Sequence, residues 1–101
     1  MEILTKKENG LLTIRLTGRL DTKTAPELEK TLLEQSPGVT TLVFDLKELV
    51  YTSSAGLRVF LKAQKLMQKQ GSMKLIHTQP QIMEIFEMTG FCDILTIEVE
   101  S

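Results

Sequence analysis

Apolar and polar residues alternate strictly through Leu12-Thr13-Ile14-Arg15-Leu16-Thr17, the period of a strand with one face buried. Ile3-Leu4-Thr5 precedes it across Glu8-Asn9-Gly10, and Asn-Gly marks a tight hairpin because both residues tolerate positive φ. The pattern predicts two antiparallel strands. Beyond Gly18, Thr24-Ala25-Pro26-Glu27 has capping-box spacing, with Thr24 accepting from a free amide while Glu27 reaches back to the Thr24 amide. Ala25, Leu28 and Leu32 then recur at helical spacing, and Pro37-Gly38 ends the helix. Val39 to Leu46 is largely apolar and β-branched, which suits a buried parallel strand.

A second helix is predicted from near Ser54 to Gly71, burying Leu57, Phe60, Leu61 and Met67 while Lys62, Lys65 and Lys69 stay in water. Gly71 fits the position just past its end. Met73 to His77 reads as a strand. Pro80 suits a first helical turn, Ile82, Ile85 and Phe86 supply that helix's core face, and Gly90 stops it. Ile94 to Val99 alternates as a last strand. The order β-β-α-β-α-β-α-β argues one α/β domain over residues 1–101, a mostly parallel sheet with an N-terminal antiparallel strand, covered by helices and wound by right-handed crossovers. Ligands and partners of such folds meet the strand-to-helix loops beyond the C-terminal strand ends. Gly18 to Thr24, Glu48 to Gly56 and Thr78 to Pro80 are those loops. The outer edge of the first hairpin is left to pair with a second copy or to stay single.

Composition narrows the function. Twelve Lys and Arg against thirteen Asp and Glu leave no excess of positive charge for the counterion release that drives nonspecific nucleic-acid binding, so nucleic acid is not an expected partner. One Cys and one His cannot form an intramolecular disulfide or a structural zinc site, so no metal or cofactor is expected and a reducing cytoplasm fits best. No apolar run approaches the roughly 20 residues that span a bilayer, and the N-terminus lacks the apolar core of a signal peptide; direct membrane insertion is not expected.

The chemistry concentrates in Asp45-Leu46-Lys47-Glu48-Leu49-Val50-Tyr51-Thr52-Ser53-Ser54-Ala55-Gly56-Leu57-Arg58. Thr52, Ser53 and Ser54 fall where a buried strand gives way to a helix. One of them serving as N-cap is a sufficient structural account. The other account is a modified hydroxyl, because a phosphate at a helix N-terminus meets free N–H groups and the positive end of the helix dipole. Arg58, one turn on, is placed to pair with it.

This segment resembles the signature of STAS domains of the anti-sigma-factor antagonist type. Gly18-Arg19-Leu20-Asp21 is similar to the family's Gly-x-Leu-Asp element, and Glu87-Met88-Thr89-Gly90-Phe91 to its Met-Ser/Thr-Gly-Leu stretch. The resemblance implies a partner switch. The unmodified protein binds an anti-sigma factor that is also a serine kinase and so frees a sigma factor; phosphorylation of one serine ends that binding, and a PP2C-type phosphatase restores it. The Gly56-Leu57 register puts the phosphorylated position at Ser54, whereas aligning on the serine pair selects Ser53. The usual Asp before the serine pair is absent here, which removes a negative charge from the contact surface. Carried over in the same way, the partner-binding positions are Asp21, Thr22, Thr24, Thr52, Ser53, Gly56, Leu57 and Arg58, with Thr89 to Phe91 as a further segment. Asp21 also reads, on residue type alone, as a turn or cap residue.

The resemblance leaves a second role open, a scaffold in a signalling assembly or a subunit of a lipid-transport complex, in which Ser54 is only a cap. A hydrolase is disfavoured: the elbow Gly-x-Ser-x-Gly has Thr52 in place of its first Gly, and a catalytic base would have to be His77. No catalytic residue is expected.

Overall fold

The computed structural model describes residues 1–99. Its hairpin joins β1 (Glu2–Glu8) to β2 (Leu11–Leu20). Asn9 and Gly10 both take positive φ, 51° and 83°, the two-residue turn whose twist matches the strands it connects. There follow α1 (Ala25–Gln35), β3 (Thr41–Thr52), α2 (Ser54–Gln70), β4 (Ser72–Thr78), α3 (Pro80–Thr89), a 3-10 turn at Phe91–Asp93 and β5 (Ile97–Val99). Pro80 opens α3, and Gly90 closes it in a left-handed conformation.

The five strands lie in sequence order, β1-β2-β3-β4-β5. Among the described residues, only the β1–β2 pair is antiparallel. Each parallel strand is thus added on the same side of the last, and right-handed crossovers in one direction put every connecting helix on one face. The core records this: Leu12, Ile14 and Leu16 of β2, Leu42, Phe44 and Leu46 of β3, and Leu75 of β4 pack against Leu28 and Leu32 of α1, Leu57 and Phe60 of α2, and Ile82 and Phe86 of α3. Phe60 stands between Phe44 and Phe86 in two edge-to-face contacts, with centroids 5.1 and 6.0 Å apart. The helical covering is therefore one-sided. The other sheet face is open, with a shallow depression of about 310 Å³ lined by residues including Leu4, Lys6, Thr13, Arg15 and Asp45.

Several expectations change. The stretch Glu48 to Gly56, read as a loop, is mostly strand: β3 continues to Thr52, and Ser53 alone separates it from α2. Two bulges hide this from periodicity. Arg15 pairs with Asp45 but Thr17 with Glu48, and Gly18 pairs with Leu49 but Arg19 with Tyr51. Each surplus β3 residue resets which side chains face inward. Leu49 and Thr52 are both buried as a result, while the unpaired Val50 is 53% exposed. In α2, Val59 and Ala63 join the buried face and Leu61 is only half-buried. The last strand begins at Ile97 rather than Ile94, because the 3-10 turn intervenes and Leu95, not Ile94, is buried. Gly71 does follow α2, but with an extended φ of 169°. Its requirement is close approach, since a Cβ there would overlap the Thr40 carbonyl.

Among the described residues, no helix is long and apolar enough to cross a membrane.

Candidate functional site

Two chain segments meet at the C-terminal ends of β2 and β3. The Ser53 amide donates to Leu20 O at 2.8 Å, so the residue before α2 is held against the residue before Asp21. Ser54 is the first residue of α2 and is exposed; Ser53 is the N-cap, in extended conformation.

The neighbouring hydroxyls differ. Ser53 Oγ is buried, has no hydrogen-bond partner among the described residues, and does not cap the helix. Thr52, 3% exposed, donates its hydroxyl to Ser53 O at 3.2 Å. Ser54 alone presents its side chain to solvent, at a helix start where the amides of the first turn lack intrahelical partners. No acidic residue occupies that first turn, so the dipole there is uncompensated. Arg58 is exposed on the same helix.

Gly56 lets this arrangement close. A Cβ at that position would lie 2.6 Å from Leu20 Cγ and 2.7 Å from its Cδ2, and closer still to Thr52 Oγ1. The first turn of α2 therefore rests directly on the ends of both strands. Thr52, Gly56 and Leu57, which the family pattern placed among contact residues, are buried. They set where Ser54 and Arg58 stand and offer no open surface themselves.

The Asp21 loop is held by a compact network. Asp21 Oδ1 accepts from the amides of Lys23 at 3.0 Å and Thr24 at 3.1 Å. Thr24 Oγ1 accepts from the Asp21 amide at 2.8 Å, and its proton is within reach of Arg19 O at 3.0 Å and Asp21 Oδ1 at 3.1 Å. The capping box does not form: the Thr24 amide that its spacing assigns to Glu27 bonds to Asp21, and Thr24 makes no side-chain cap. The Thr24 amide is the main reason the Asp21 carboxyl sits below its ordinary range; burial opposes it, and the Lys23 amide, the Thr24 hydroxyl and the Arg19 charge add to it. A charged Asp21 and the exposed Thr22 and Lys23 thus stand on the same sheet edge as Ser54.

Sequence reasoning missed Arg19 and Tyr51, a guanidinium stacked 4.2 Å from the ring centroid. The second bulge brings them opposite each other. His77 does not approach Ser54. It adopts a left-handed φ of 55°, and its Nδ1 lies 3.0 Å from Asp45 Oδ1. Burial pushes the Asp45 carboxyl up, but the His77 bond, the Lys47 amide and the charges of His77 and Arg15 outweigh it, and the net shift is downward. Thr89 to Phe91 lies toward the opposite sheet edge, because α3 follows β4 and must run back along the sheet before the parallel β5 can begin.

Comparison with known proteins agrees with this fold. The STAS domain model matches residues 2–100. BtrV of Bordetella bronchiseptica is 38% identical over 99 residues, covering 96% of this chain and 85% of that protein. The anti-sigma-B factor antagonist of Bacillus subtilis is 31% identical over 97 residues, covering 95% of this chain and 89% of the relative. Among solved structures, the Bacillus cell fate determinant SpoIIAA in its phosphorylated form superposes with a TM-score of 0.73 at 20% identity, covering 98% of this chain and 93% of that one. From the matched signature, the strand order and these relatives, the chain belongs to the STAS domain family, in company with the anti-sigma factor antagonists.

Proposed function

We propose that this chain is an anti-sigma factor antagonist switched by phosphorylation at Ser54. Unphosphorylated, it binds an anti-sigma factor serine kinase through the Asp21 to Thr24 loop and the start of α2; phosphorylated, it lets go, and a PP2C-type phosphatase resets it. The observation that carries this reading is the contrast between the two serines. Ser54 Oγ belongs to an exposed residue at a helix start, whereas Ser53 Oγ is buried, so a kinase can reach the first without opening the fold. The role needs no catalytic residue in this chain.

The physics of the switch follows from the site. A phosphate adds about 1.5 to 2 negative charges at a terminus whose free amides and dipole stabilise it, so the fold persists. Partner binding changes instead. Two like unit charges about 6 Å apart at an effective dielectric near 20 repel by roughly 3 kcal/mol, about a hundredfold in affinity.

The test is a pull-down from host lysate with the parent, Ser54→Ala and Ser54→Asp chains as bait, together with mass-spectrometric mapping of the phosphosite after incubation with the captured kinase and ATP. Capture by the first two, loss by the third, and phosphate on Ser54 support the switch. Equal capture of one partner by all three overturns it and leaves the scaffold or transport-subunit role.

A further inference from the structure

We infer that the outer edge of β1 is a self-association surface, on which a second copy of this chain adds its own β1 antiparallel and continues the sheet. β1 is a seven-residue edge strand, and its outward backbone groups are a template for another strand. The opposite edge strand, β5, spans Ile97–Val99 among the described residues. Leu4 is 50% exposed on β1, an apolar side chain on a strand that otherwise presents Glu2, Lys6, Lys7 and Glu8 to water.

The sequence of the strand selects both occupant and register. A two-fold axis perpendicular to the sheet keeps both open faces on one side, and it must pass through a residue of β1, because facing residues share a face. With the axis at Leu4, Leu4 faces its own copy, Ile3 faces the second copy's Thr5, and Glu2 faces the second copy's Lys6 on both sides of the axis. That register gives an apolar centre flanked by two opposite-charge pairs. An axis at Thr5 sets Glu2 against the second copy's Glu8, an axis at Lys6 sets two lysines face to face, and an axis at Ile3 pairs no opposite charges. Like charges directly opposed disfavour pairing, and opposite ones favour it.

The lysines that would ordinarily guard such an edge are accounted for. Lys7 is turned to the helical side, donating to Pro37 O at 2.7 Å. Lys6 has only a loose contact with Glu8, 3.9 Å between two well-exposed side chains, so it can exchange Glu8 for Glu2 of the second copy. Because the two copies run antiparallel, their Ser54 edges point in opposite directions and both stay uncovered. The inference does not depend on the proposed switch.

Sedimentation velocity over a concentration series tests it with the parent chain, Glu2→Lys, Lys6→Glu, and an equimolar mixture of the two variants. The parent dimerises as concentration rises. Each variant alone opposes like charges at two places and self-associates about tenfold or more weakly, while the mixture recovers the dimer because the pairs match again. Both substitutions are on exposed side chains, and unchanged circular dichroism verifies the fold. A parent that stays monomeric at every concentration overturns the inference, as does a dimer that both variants leave intact or a mixture that fails to recover it.

Discussion

Replacing Gly56 by Ala tests the close approach on which the Ser54 site is built. A gain of at most about 1 kcal/mol would be expected on helix propensity alone, the advantage of Ala over Gly in a helix interior. The surroundings reverse the sign. The added methyl would fall 2.6 and 2.7 Å from two carbons of Leu20 and onto Thr52 Oγ1, and neither neighbour can swing into solvent: Leu20 is fully buried and Thr52 is 3% exposed. Overpacking a full core typically costs about 1 to 3 kcal/mol. Overlap with three atoms of two buried side chains belongs at the upper end, which leaves a net loss of about 2 kcal/mol after the propensity gain. For a chain of this length that lowers Tm by roughly 8 to 10 °C. Urea unfolding followed by far-ultraviolet circular dichroism measures it, and Leu20→Ala supplies the control. In that background the two Leu20 overlaps are gone and only the one with Thr52 Oγ1 remains, so Gly56→Ala should cost less than in the parent by about 1 kcal/mol. A Gly56→Ala chain at least as stable as the parent would refute the reasoning.

Three further outcomes follow from the same structure. Gly71→Ala should lose about 3 kcal/mol, more than Gly56→Ala, because its methyl meets the Thr40 carbonyl, backbone that already accepts from the Ser72 amide at 3.0 Å and cannot turn aside; a smaller loss on urea unfolding contradicts this. Ser54→Asp should raise stability by about 0.3 to 1 kcal/mol, since it supplies the first acidic group in the first turn of α2 at the positive end of its dipole; a fall in Tm counts against the proposed tolerance of charge there. Asp45 has a folded pKa below the ordinary 3.8, so its stabilising contribution is present above the unfolded value and disappears as pH falls through the folded one. Unfolding free energy measured from pH 6 to about pH 3 should therefore drop less steeply in Asp45→Asn than in the parent, and parallel curves would remove Asp45 from the acid response; Asp21, shifted the same way, contributes to what remains.

Local signals carried most of the secondary structure because local sterics create them. Asn9-Gly10 made the hairpin legible, since positive φ at two consecutive residues is a demand few dipeptides meet. Pro80 and Gly90 bounded α3 for similar reasons. Alternation in β2 and the helical spacing of α1 identified their buried faces, and in α2 the spacing found Leu57, Phe60 and Met67 but took Leu61 for a core residue and passed over Val59 and Ala63. The path from β3 into α2 was not legible. Two bulges reset its phase, and a strand whose inward residues fall at irregular intervals has no period to detect. The capping box failed for a related reason, because Asp21 reached the Thr24 amide through a turn that spacing alone does not reveal.

At the site, the sequence by itself determined that hydroxyls cluster at a strand-to-helix junction and that a glycine stands two residues beyond Ser54. The STAS signature is a string of residue types, and the chain displays it without folding. Tertiary structure decided which hydroxyl faces water, that Gly56 is the contact between α2 and Leu20, and that Thr89 to Phe91 lies away from the edge that the loop order already assigned to both Asp21 and Ser54. Sequential strand order and right-handed crossovers put all the helices on one face and left the other open. Burial and proximity between distant segments are properties of packing, and adjacent letters carry no record of them until the sheet brings Leu20 and Ser53 within one hydrogen bond.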